Sequence, residues 1–484
     1  MSIESGTFET LSPSRYISFT IPNLLSPEFA SYLHSHLLRL AVLDSPKPIQ
    51  SGGPPLVAAI LVPKGREEDW LFSTEEGQLQ LISSDCGVSR LVLIGNELER
   101  SGGGGDDGWG GGRVYRRWEC EDDSYVDRLE ERIGALLMWL SPKGNSDSGY
   151  CDVRFLRYED DVIGSVVVER CSGKLVGEMV VEDVEIEGTE MSKREFRRRL
   201  RFKRMPNLVQ SQIRIVPNVC NGGGLGLKEC IIGDLGFRLD LGTLVHPYLA
   251  PMVAGLSLIG RHLSEKFESG MRPRSLCCGV GGGALLMFLV NQCGFEVVGV
   301  EMDEVVLSVA RQYFGLESSE LVQICVGDVI EILKNLDFFG IVPRSRSMVG
   351  HNDSPIDPLA EFSGGFDAIF VDLDSHVCTT GVTAPPLEFM QRDVLVATKL
   401  SLSKTGIVIL NVMSPNRSFY EMLLHELQAV FEELYEIDTG NGENYVVIAT
   451  KSPLPPASRD FKIPFVTKLN LGASGVFLNS IRKI

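Results

Sequence analysis

The chain has 484 residues and a formal net charge of -18, from 64 acidic and 46 basic residues. At roughly 100–200 residues per domain, this length predicts two or three domains. Hydrophobic residues make up 44% of the chain, which is ample for their cores. The acidic excess argues against a nucleic-acid-binding protein, which needs clustered Lys and Arg to hold phosphates. It favours a small molecule or a basic protein as the partner.

The 11 cysteines include no CxxC pair, so we expect no structural zinc site. Their odd number in a long chain is typical of a reducing compartment. The N-terminus lacks the basic-then-apolar pattern of a signal peptide. The longest apolar stretch, near residues 284–290, is far shorter than the ~20 residues that span a bilayer. We therefore expect a cytoplasmic protein with no metal and no membrane contact.

The first 215 residues are predicted to contain an N-terminal extension, residues 1–54, and a small α/β domain, residues 55–215. An amphipathic pattern predicts a helix from residue 27 to about 43 within the extension. The small domain alternates strand and helix patterns, and its Gly- and Asp-rich segment 101–112 predicts a flexible loop. The predicted strands are 56–62, 89–94, 153–158, 163–169 and 175–186, and the predicted helices are 74–83 and 123–140.

Residues 196–204 are densely basic. This run predicts either a solvated edge of a strand or helix, or a docking patch for an acidic surface. Its basic residues are Arg197, Arg198, Arg199, Arg201, Lys203 and Arg204.

From residue 235 to 484, strand and helix patterns alternate regularly. This alternation predicts a parallel, doubly wound sheet of the Rossmann type, and a late strand pair predicts an antiparallel hairpin at its edge. Residues 340–363 are rich in Ser, Pro, Gly and Asp and predict a mobile insertion. The predicted strands are 275–278, 296–301, 321–326, 366–371, 406–412, 435–438 and 445–450; the predicted helices are 249–263, 283–292, 303–314, 329–335, 388–402 and 419–431.

A glycine-rich turn, CGVGGG at residues 278–283, follows the first of these strands and opens a helix. Glycines let a backbone approach a ligand closely, and a helix N-terminus offers free N–H groups. We therefore expect Cys278, Gly279, Gly281 and Gly283 to contact a cofactor. Taken alone, the turn is also compatible with a dinucleotide such as NAD or with a purely structural role.

Acidic residues end the next two strands. Glu301, followed by Met302, lies about 20 residues beyond the turn, where an acid accepts the ribose hydroxyls of a nucleoside. Asp328, followed by Val329, ends the third strand, where it would accept the adenine amino group. The alternative interpretations are a solvated strand end for Glu301 and a helix N-cap for Asp328.

Asp372 and Asp374 end the fourth strand, at the edge where open α/β sheets bind their ligands. Because they are two residues apart in an extended segment, their carboxylates face the same side, and we expect a shared catalytic site. The alternatives are a buried acid paired with Lys or Arg for Asp372, and a turn cap for Asp374. His246 is either structural or lines the entrance to this site.

Asp328 and the Asp372–Asp374 pair are not part of the NAD fingerprint, and they favour S-adenosylmethionine as the cofactor. The expected fold is therefore a Rossmann-like, seven-stranded class I methyltransferase domain preceded by a smaller α/β domain. The expected activity is S-adenosylmethionine-dependent methyl transfer.

Eight short segments make the chain, from about residue 55 to its end, resemble the eukaryotic methyltransferase-like proteins that act on translation elongation factor 1-alpha. In that family a first domain methylates a lysine, and a second, spermidine-synthase-like domain methylates the N-terminal α-amine. The segments are VPKGRE at 62–67, WLF at 70–72, RRL at 198–200, NLVQS at 207–211, MVAGL at 252–256, VEMD at 300–303, VDLDS at 371–375 and APP at 384–386.

The resemblance implies a protein substrate, elongation factor 1-alpha, and an N-terminal amine or a lysine as the methyl acceptor. It also implies that Asp374 holds the incoming amine and that Asp372 lies beside the methionine end of the cofactor. Residues 1–200 contain no second glycine-rich turn followed by an acidic strand end, so we expect the lysine-directed first domain to be absent. The alternatives are a related aminopropyltransferase, although its expected Asp-Gly-Gly element is missing, and a non-catalytic scaffold that binds cofactor.

Overall fold

The computed structural model describes residues 4, 6–46, 55–84, 87–97, 114–118, 124–143, 153–188, 194–218, 231–339, 365–375, 384–414, 416–440, 444–455 and 462–484. Its strands are β1 Tyr16–Pro22, β2 Leu37–Asp44, β3 Leu56–Leu61, β4 Val88–Asn96, β5 Val114–Arg116, β6 Val153–Phe155, β7 Val162–Gly173, β8 Gly177–Ile186, β9 Glu195–Phe202, β10 Val209–Pro217, β11 Phe237–Asp240, β12 Arg274–Cys278, β13 Glu296–Glu301, β14 Val322–Val326, β15 Phe366–Val371, β16 Leu402–Met413, β17 Glu433–Asp438, β18 Asn444–Thr450 and β19 Arg482–Lys483. Its α-helices are α1 Trp70–Ser73, α2 Glu75–Ser84, α3 Ser124–Trp139, α4 Leu249–Gly255, α5 Gly260–Glu268, α6 Ala284–Phe288, α7 Glu304–Tyr313, α8 Val329–Phe339, α9 Arg392–Ser401, α10 Arg417–Gln428 and α11 Pro464–Leu471.

The first sheet has five strands in the order β1-β2-β4-β3-β6. β3 pairs in parallel with β4 and β6, whereas β2 pairs antiparallel with β1 and β4. Helix α3 packs on one face through Leu129, Ile133 and Leu137, which recur at the four-residue spacing of one helix face. A buried ion pair between Arg90 and Asp44, with a nitrogen–oxygen distance of 2.6 Å, ties β4 to β2.

The helix predicted from residue 27 to about 43 is wrong. The structure has a short 3-10 turn at Pro27–Phe29 and then strand β2. Leu40 and Val42 of β2 pack in one apolar cluster and Ala41 and Leu43 in another, so both faces of the strand are covered. Its apolar residues therefore form a continuous run instead of alternating. Such a run cannot be distinguished from a buried helix by periodicity alone. The segment predicted as an extension thus supplies two strands of the first sheet; the boundaries 1–54, 55–215 and 235–484 stay predictions.

The second sheet is antiparallel, with strand order β11-β10-β9-β8-β7-β5. Its third strand, β9, carries the basic run, and both predictions for that run are wrong for the residues within the strand. β9 pairs with a strand on each side, and its arginines bind acids of the same region. Arg198 meets Asp183 at 2.7 Å and Arg201 meets Glu182 at 2.8 Å. The charges therefore neutralise one another within the fold.

The third sheet confirms the predicted doubly wound α/β fold. Its strand order is β14-β13-β12-β15-β16-β18-β17-β19, and the first five strands run parallel. β18 is inserted antiparallel between β16 and β17, as the late hairpin predicts, and β19 adds an eighth strand. Two apolar clusters cover the two faces. The strand order reverses between β12 and β15, which is where open α/β sheets bind ligands.

The second sheet packs against helix α7 and the residue that follows it, Phe314; α7 follows strand β13 of the third sheet. Val306, Val309 and Phe314 share an apolar cluster with side chains of β8, β9 and β10. At the start of α7, the Asp303 carboxylate accepts the N–H groups of Leu175 and Val176, at 2.8 and 3.1 Å, from the turn between β7 and β8. The second sheet is thereby held over the carboxyl ends of the parallel strands.

The other predicted helices and strands have counterparts in the described residues, with ends that differ by a few positions. The predicted loop at 101–112 and the predicted insertion at 340–363 lie outside the described residues. Across the described ranges, none of the helices is both long and apolar enough to cross a membrane.

Candidate active site

An open cavity of about 960 Å³ lies where the second sheet meets the carboxyl ends of the parallel strands. Its volume is within the range of small-molecule sites, ~300–1,000 Å³. Eight of the ten predicted site residues line it: Gly279, Gly281, Glu301, Met302, Asp328, Val329, Asp372 and Asp374. The predicted strand-end residues are thus brought to a single cavity.

The other two predicted residues, Cys278 and Gly283, do not line this cavity. Cys278 is fully buried at the end of β12, and its carbonyl accepts the Asp372 N–H at 2.9 Å. Gly283 precedes α6 with a φ of +81°, and its N–H donates to the Val280 carbonyl at 2.8 Å. Both residues shape the turn without reaching the cavity surface. Their predicted contacts with the cofactor therefore stay predictions.

The glycine-rich turn needs glycine because of its close neighbours. Gly279 has a φ of +85°, and a Cβ placed on it would lie 2.2 Å from the backbone oxygen of Asp372. Gly281 has a φ of +52°, and its Cβ would lie 2.6 Å from the Ser211 Oγ. That Oγ accepts the Gly282 N–H at 2.7 Å. The turn is therefore fixed by β10 of the second sheet as well as by its own sheet.

Glu301 binds the turn from the end of β13. Its Oε2 accepts the N–H groups of Val280 and Gly281, each at 3.1 Å, and its Oε1 accepts those of Met302 and Asp303. Burial nevertheless raises the pKa of Glu301 above its ordinary value. The carboxylate thus sets the position of the turn, and its predicted contact with a ribose stays a prediction.

Asp328 both caps a helix and lies at the cavity, so the two interpretations of its position in the sequence are compatible. Its Oδ1 accepts the Ile330 N–H at 2.8 Å and so caps α8, and the residue also lines the cavity. Beside it, Val329 is buried, whereas Met302 on the neighbouring strand end is 39% exposed. Both apolar residues line the same cavity as Glu301 and Asp328.

Asp372 is fixed by two donors at the end of β15. The Tyr248 hydroxyl donates to its Oδ2 at 3.0 Å, and the Asn411 Nδ2 donates to its Oδ1 at 2.9 Å. Burial raises the pKa of Asp372 to about 6; Asp374 and Glu301 nearby also raise it, while the two donors lower it. The carboxylate is therefore ionised at pH 7 but gains a proton more readily than an exposed aspartate.

Asp374 faces the same cavity and forms an ion pair with Arg204. The Arg204 Nη2 lies 3.3 Å from Oδ2 and 3.4 Å from Oδ1. The Arg204 guanidinium also lies over the Phe202 ring, 5.2 Å from its centroid. The last arginine of the basic run thus belongs to the cavity and not to a solvated edge or a docking patch.

His246 lines the cavity beside Tyr248, with ring centroids 4.6 Å apart. Its Nε2 lies 3.0 Å from the Val209 carbonyl, so this nitrogen carries the proton of the neutral ring. Burial lowers the pKa of His246 to about 4, which keeps the ring neutral at pH 7. We find it at the site, as one of its two interpretations predicted.

Sequence reasoning missed the roles of Arg204, Ser211, Tyr248 and Asn411. Asn411 did leave a signal, because it is the single polar side chain in the apolar run 407–413 of strand β16. Tyr248 follows His246 closely, but nothing local links it to Asp372. Arg204 and Ser211 reach the site from the second sheet, and their contacts depend on packing between distant segments.

Comparison with curated proteins finds relatives named eEF1A lysine and N-terminal methyltransferase. The human protein is 27% identical over 410 residues, which cover 82% of this chain and 51% of its own length. The Danio rerio protein is 26% identical over 423 residues, 85% of this chain and 53% of its own. The Drosophila melanogaster homolog is 26% identical over 429 residues, 88% of this chain and 53% of its own. The chain spans about half the length of these relatives, and no family model matches it.

Solved structures are matched with lower overall similarity. Human methyltransferase-like protein 13 in complex with SAH gives a TM-score of 0.38 at 23% identity, covering 46% of this chain and 92% of that one. A probable spermidine synthase from Corynebacterium glutamicum gives 0.39 at 13% identity, covering 65% and 89%. Because these TM-scores are below 0.5, the assignment of the fold rests on the strand order. The resemblance predicted from the sequence is nevertheless confirmed: over about four fifths of its length, the chain is similar to eEF1A lysine and N-terminal methyltransferases.

Proposed function

We propose that the protein is an S-adenosylmethionine-dependent methyltransferase that modifies an amine of a protein substrate, eEF1A. One observation carries the proposal: carboxylates from three parallel strand ends, β13, β14 and β15, converge on one cavity at the point where the strand order reverses. The names of the curated relatives support the same activity and the same substrate.

The residues of the cavity fit this cofactor. Asp328 is an acceptor suited to an adenine amino group, and Asp372 is an acceptor for the ammonium of the methionine end. Glu301 would accept ribose hydroxyls in exchange for some of the four backbone N–H groups that it binds. The charged lining residues comprise six acids, Glu301, Asp328, Glu331, Asp372, Asp374 and Glu388, and two bases, Arg204 and Lys334. This acidic excess suits a cationic ligand.

When bound, S-adenosylmethionine supplies a methyl group on a cationic sulfur. The acceptor nitrogen would donate its lone pair to the methyl carbon, and the electron pair of the broken carbon–sulfur bond would stay on sulfur. The methylated nitrogen would then lose a proton. The protein must align the two groups and present a neutral nitrogen. Asp374 would orient the amine by accepting a hydrogen bond from it. Asp372, fixed by Tyr248 and Asn411, would hold its charge beside the cofactor.

An α-amine is the acceptor that we favour over a lysine. Its reference pKa is ~8, against ~10.4 for lysine, so it is neutral far more often near pH 7 and needs no strong base. Among the side chains that line the cavity, His246 is neutral and Asp372 has a pKa of about 6, so neither is a strong base. We also propose that the protein acts in the cytoplasm, where a translation factor is available.

The test is to incubate the purified protein with methyl-labelled S-adenosylmethionine and eEF1A. We expect label on eEF1A with the wild-type protein and none with Asp374→Ala, which should still bind cofactor in calorimetry. A parallel reaction with decarboxylated cofactor and putrescine tests for aminopropyl transfer. Consumption of putrescine with no label on eEF1A would replace our proposal, and full activity of Asp374→Ala would remove the role of that residue.

A further inference from the structure

Arg204 differs from the other arginines of the basic run. Arg198 and Arg201 lie within strand β9 and bind acids of the neighbouring strand. Arg204 lies two residues beyond the end of β9, and it lines the cavity together with Phe202 and Asp374. It therefore places a permanent positive charge beside the carboxylate that is proposed to hold the acceptor amine.

The pair between Arg204 and Asp374 is loose. Its two nitrogen–oxygen distances are 3.3 and 3.4 Å, whereas Arg198–Asp183 is 2.7 Å. Well-formed charge-assisted pairs measure about 2.7–2.9 Å. The guanidinium also lies over the Phe202 ring, 5.2 Å from its centroid. Phe202 thus keeps Arg204 in place, and a ligand can lie alongside the pair with one polar group against each charge.

We infer that Arg204 and Asp374 together recognise the first residue of a protein chain: Asp374 accepts from the α-amine, and Arg204 donates to the carbonyl oxygen of the same residue. The inference rests on the proposed function and names the residue that selects the acceptor. Standard bond lengths place an α-nitrogen and its own carbonyl oxygen about 3 Å apart. That separation matches the 3.3 Å between the Arg204 Nη2 and the Asp374 Oδ2.

Other amines lack one half of this match. A lysine ε-nitrogen is attached to methylene groups, so it brings no carbonyl oxygen to Arg204 beside the amine. A diamine brings a second cation toward the guanidinium, which repels it. An N-terminal residue therefore gains a hydrogen bond from a charged donor that the other two amines do not make. Arg204 is therefore a specificity-determining residue for an N-terminal amine.

The test compares three acceptors: a lysine-free peptide with a free α-amine, the same peptide acetylated there and given one lysine, and putrescine. Arg204→Gln should lower kcat/KM for the free α-amine on the order of tenfold or more, mainly through KM, because a hydrogen bond from a charged donor is lost. Arg204→Lys should retain more of the activity. The affinity for S-adenosylmethionine, measured by calorimetry, should change less than about twofold.

Arg214→Gln is the matched control, because Arg214 pairs with Asp240 at 3.7 Å in the same sheet and does not line the cavity. It should leave both kcat/KM and the preference among acceptors unchanged. An unchanged preference in Arg204→Gln, or a gain on the free α-amine, would overturn the inference. If the wild-type protein instead methylates eEF1A but only the lysine peptide, the inference fails while the methyltransferase proposal stands. No transfer by the wild-type protein to any acceptor would overturn both.

Discussion

Replacing Tyr248 by Phe removes one hydroxyl and keeps the buried ring. That hydroxyl donates to the Asp372 Oδ2 at 3.0 Å and stabilises the ionised carboxylate. A hydrogen bond to a charged group contributes about 1.5–3 kcal/mol, which corresponds to ~1–2 pKa units. Since the donor lowers the pKa, its loss should raise the pKa of Asp372 from about 6 to ~7–8. At pH 7 the ionised fraction should therefore fall roughly 2- to 10-fold.

The assay is the pH profile of kcat/KM with a lysine-free peptide that has a free α-amine. The amine must also lose a proton, at a pKa of ~8. For the wild type, log kcat/KM should therefore rise with a slope of two below pH about 6 and of one from there to pH ~8, and then level off. In Tyr248→Phe this break should move up by one to two pH units, and activity should recover at high pH.

Tyr420→Phe is the matched control, since Tyr420 donates its hydroxyl to another carboxylate, Glu436, and does not line the cavity. Its break should stay at about pH 6. A break in Tyr248→Phe at the wild-type pH, or an equal shift in both variants, would refute the assignment of the acid limb to Asp372.

Three further changes test the site. Asp372→Asn should abolish methyl transfer but raise the free energy of unfolding by up to about 3 kcal/mol above pH 6 and leave it unchanged below pH ~4. The reason is that a carboxyl whose pKa is raised in the folded state costs stability only once it is ionised. Urea unfolding at both pH values checks this, and an equal gain at both would contradict it. Gly279→Ala should lose cofactor binding and lower the Tm more than Gly270→Ala, a position with a similar positive φ where no atom of the neighbouring described residues lies within 4 Å of the new Cβ. Equal effects would count against the close approach to Asp372. Ser211→Ala removes the acceptor of the Gly282 N–H, at a cost of about 1–3 kcal/mol. The affinity for the cofactor, measured by calorimetry, should therefore fall at least ~5-fold. An unchanged Kd would show that β10 does not fix the turn.

Much of the third sheet could be predicted because its signals are local. Each parallel strand is a short apolar run bounded by turn residues, and each crossover helix has its own periodicity. Strand β2 has no such local signal, because a strand covered on both faces loses the alternation that identifies it. The pairing of β9 arginines with acids of β8 was hidden for a different reason, since a charge run does not reveal which neighbours it meets.

The same distinction applies to the site. Glu301, Asp328, Asp372 and Asp374 were predictable because carboxyl ends of parallel strands meet at one edge, so each acid is placed by its own strand. Their binding roles stay predictions. Residues from the second sheet were not predictable, because the contact of Ser211 with the turn depends on how two sheets pack.

The most direct test of the central claim is a crystal structure of the protein with S-adenosylhomocysteine. We expect the adenosine of this ligand to lie between Glu301 and Asp328 in the cavity described above. The sulfur atom of the ligand should face Asp372 and Asp374. A nucleoside bound elsewhere, or no binding at saturating ligand, would contradict the assignment of this cavity as the methyl-transfer site.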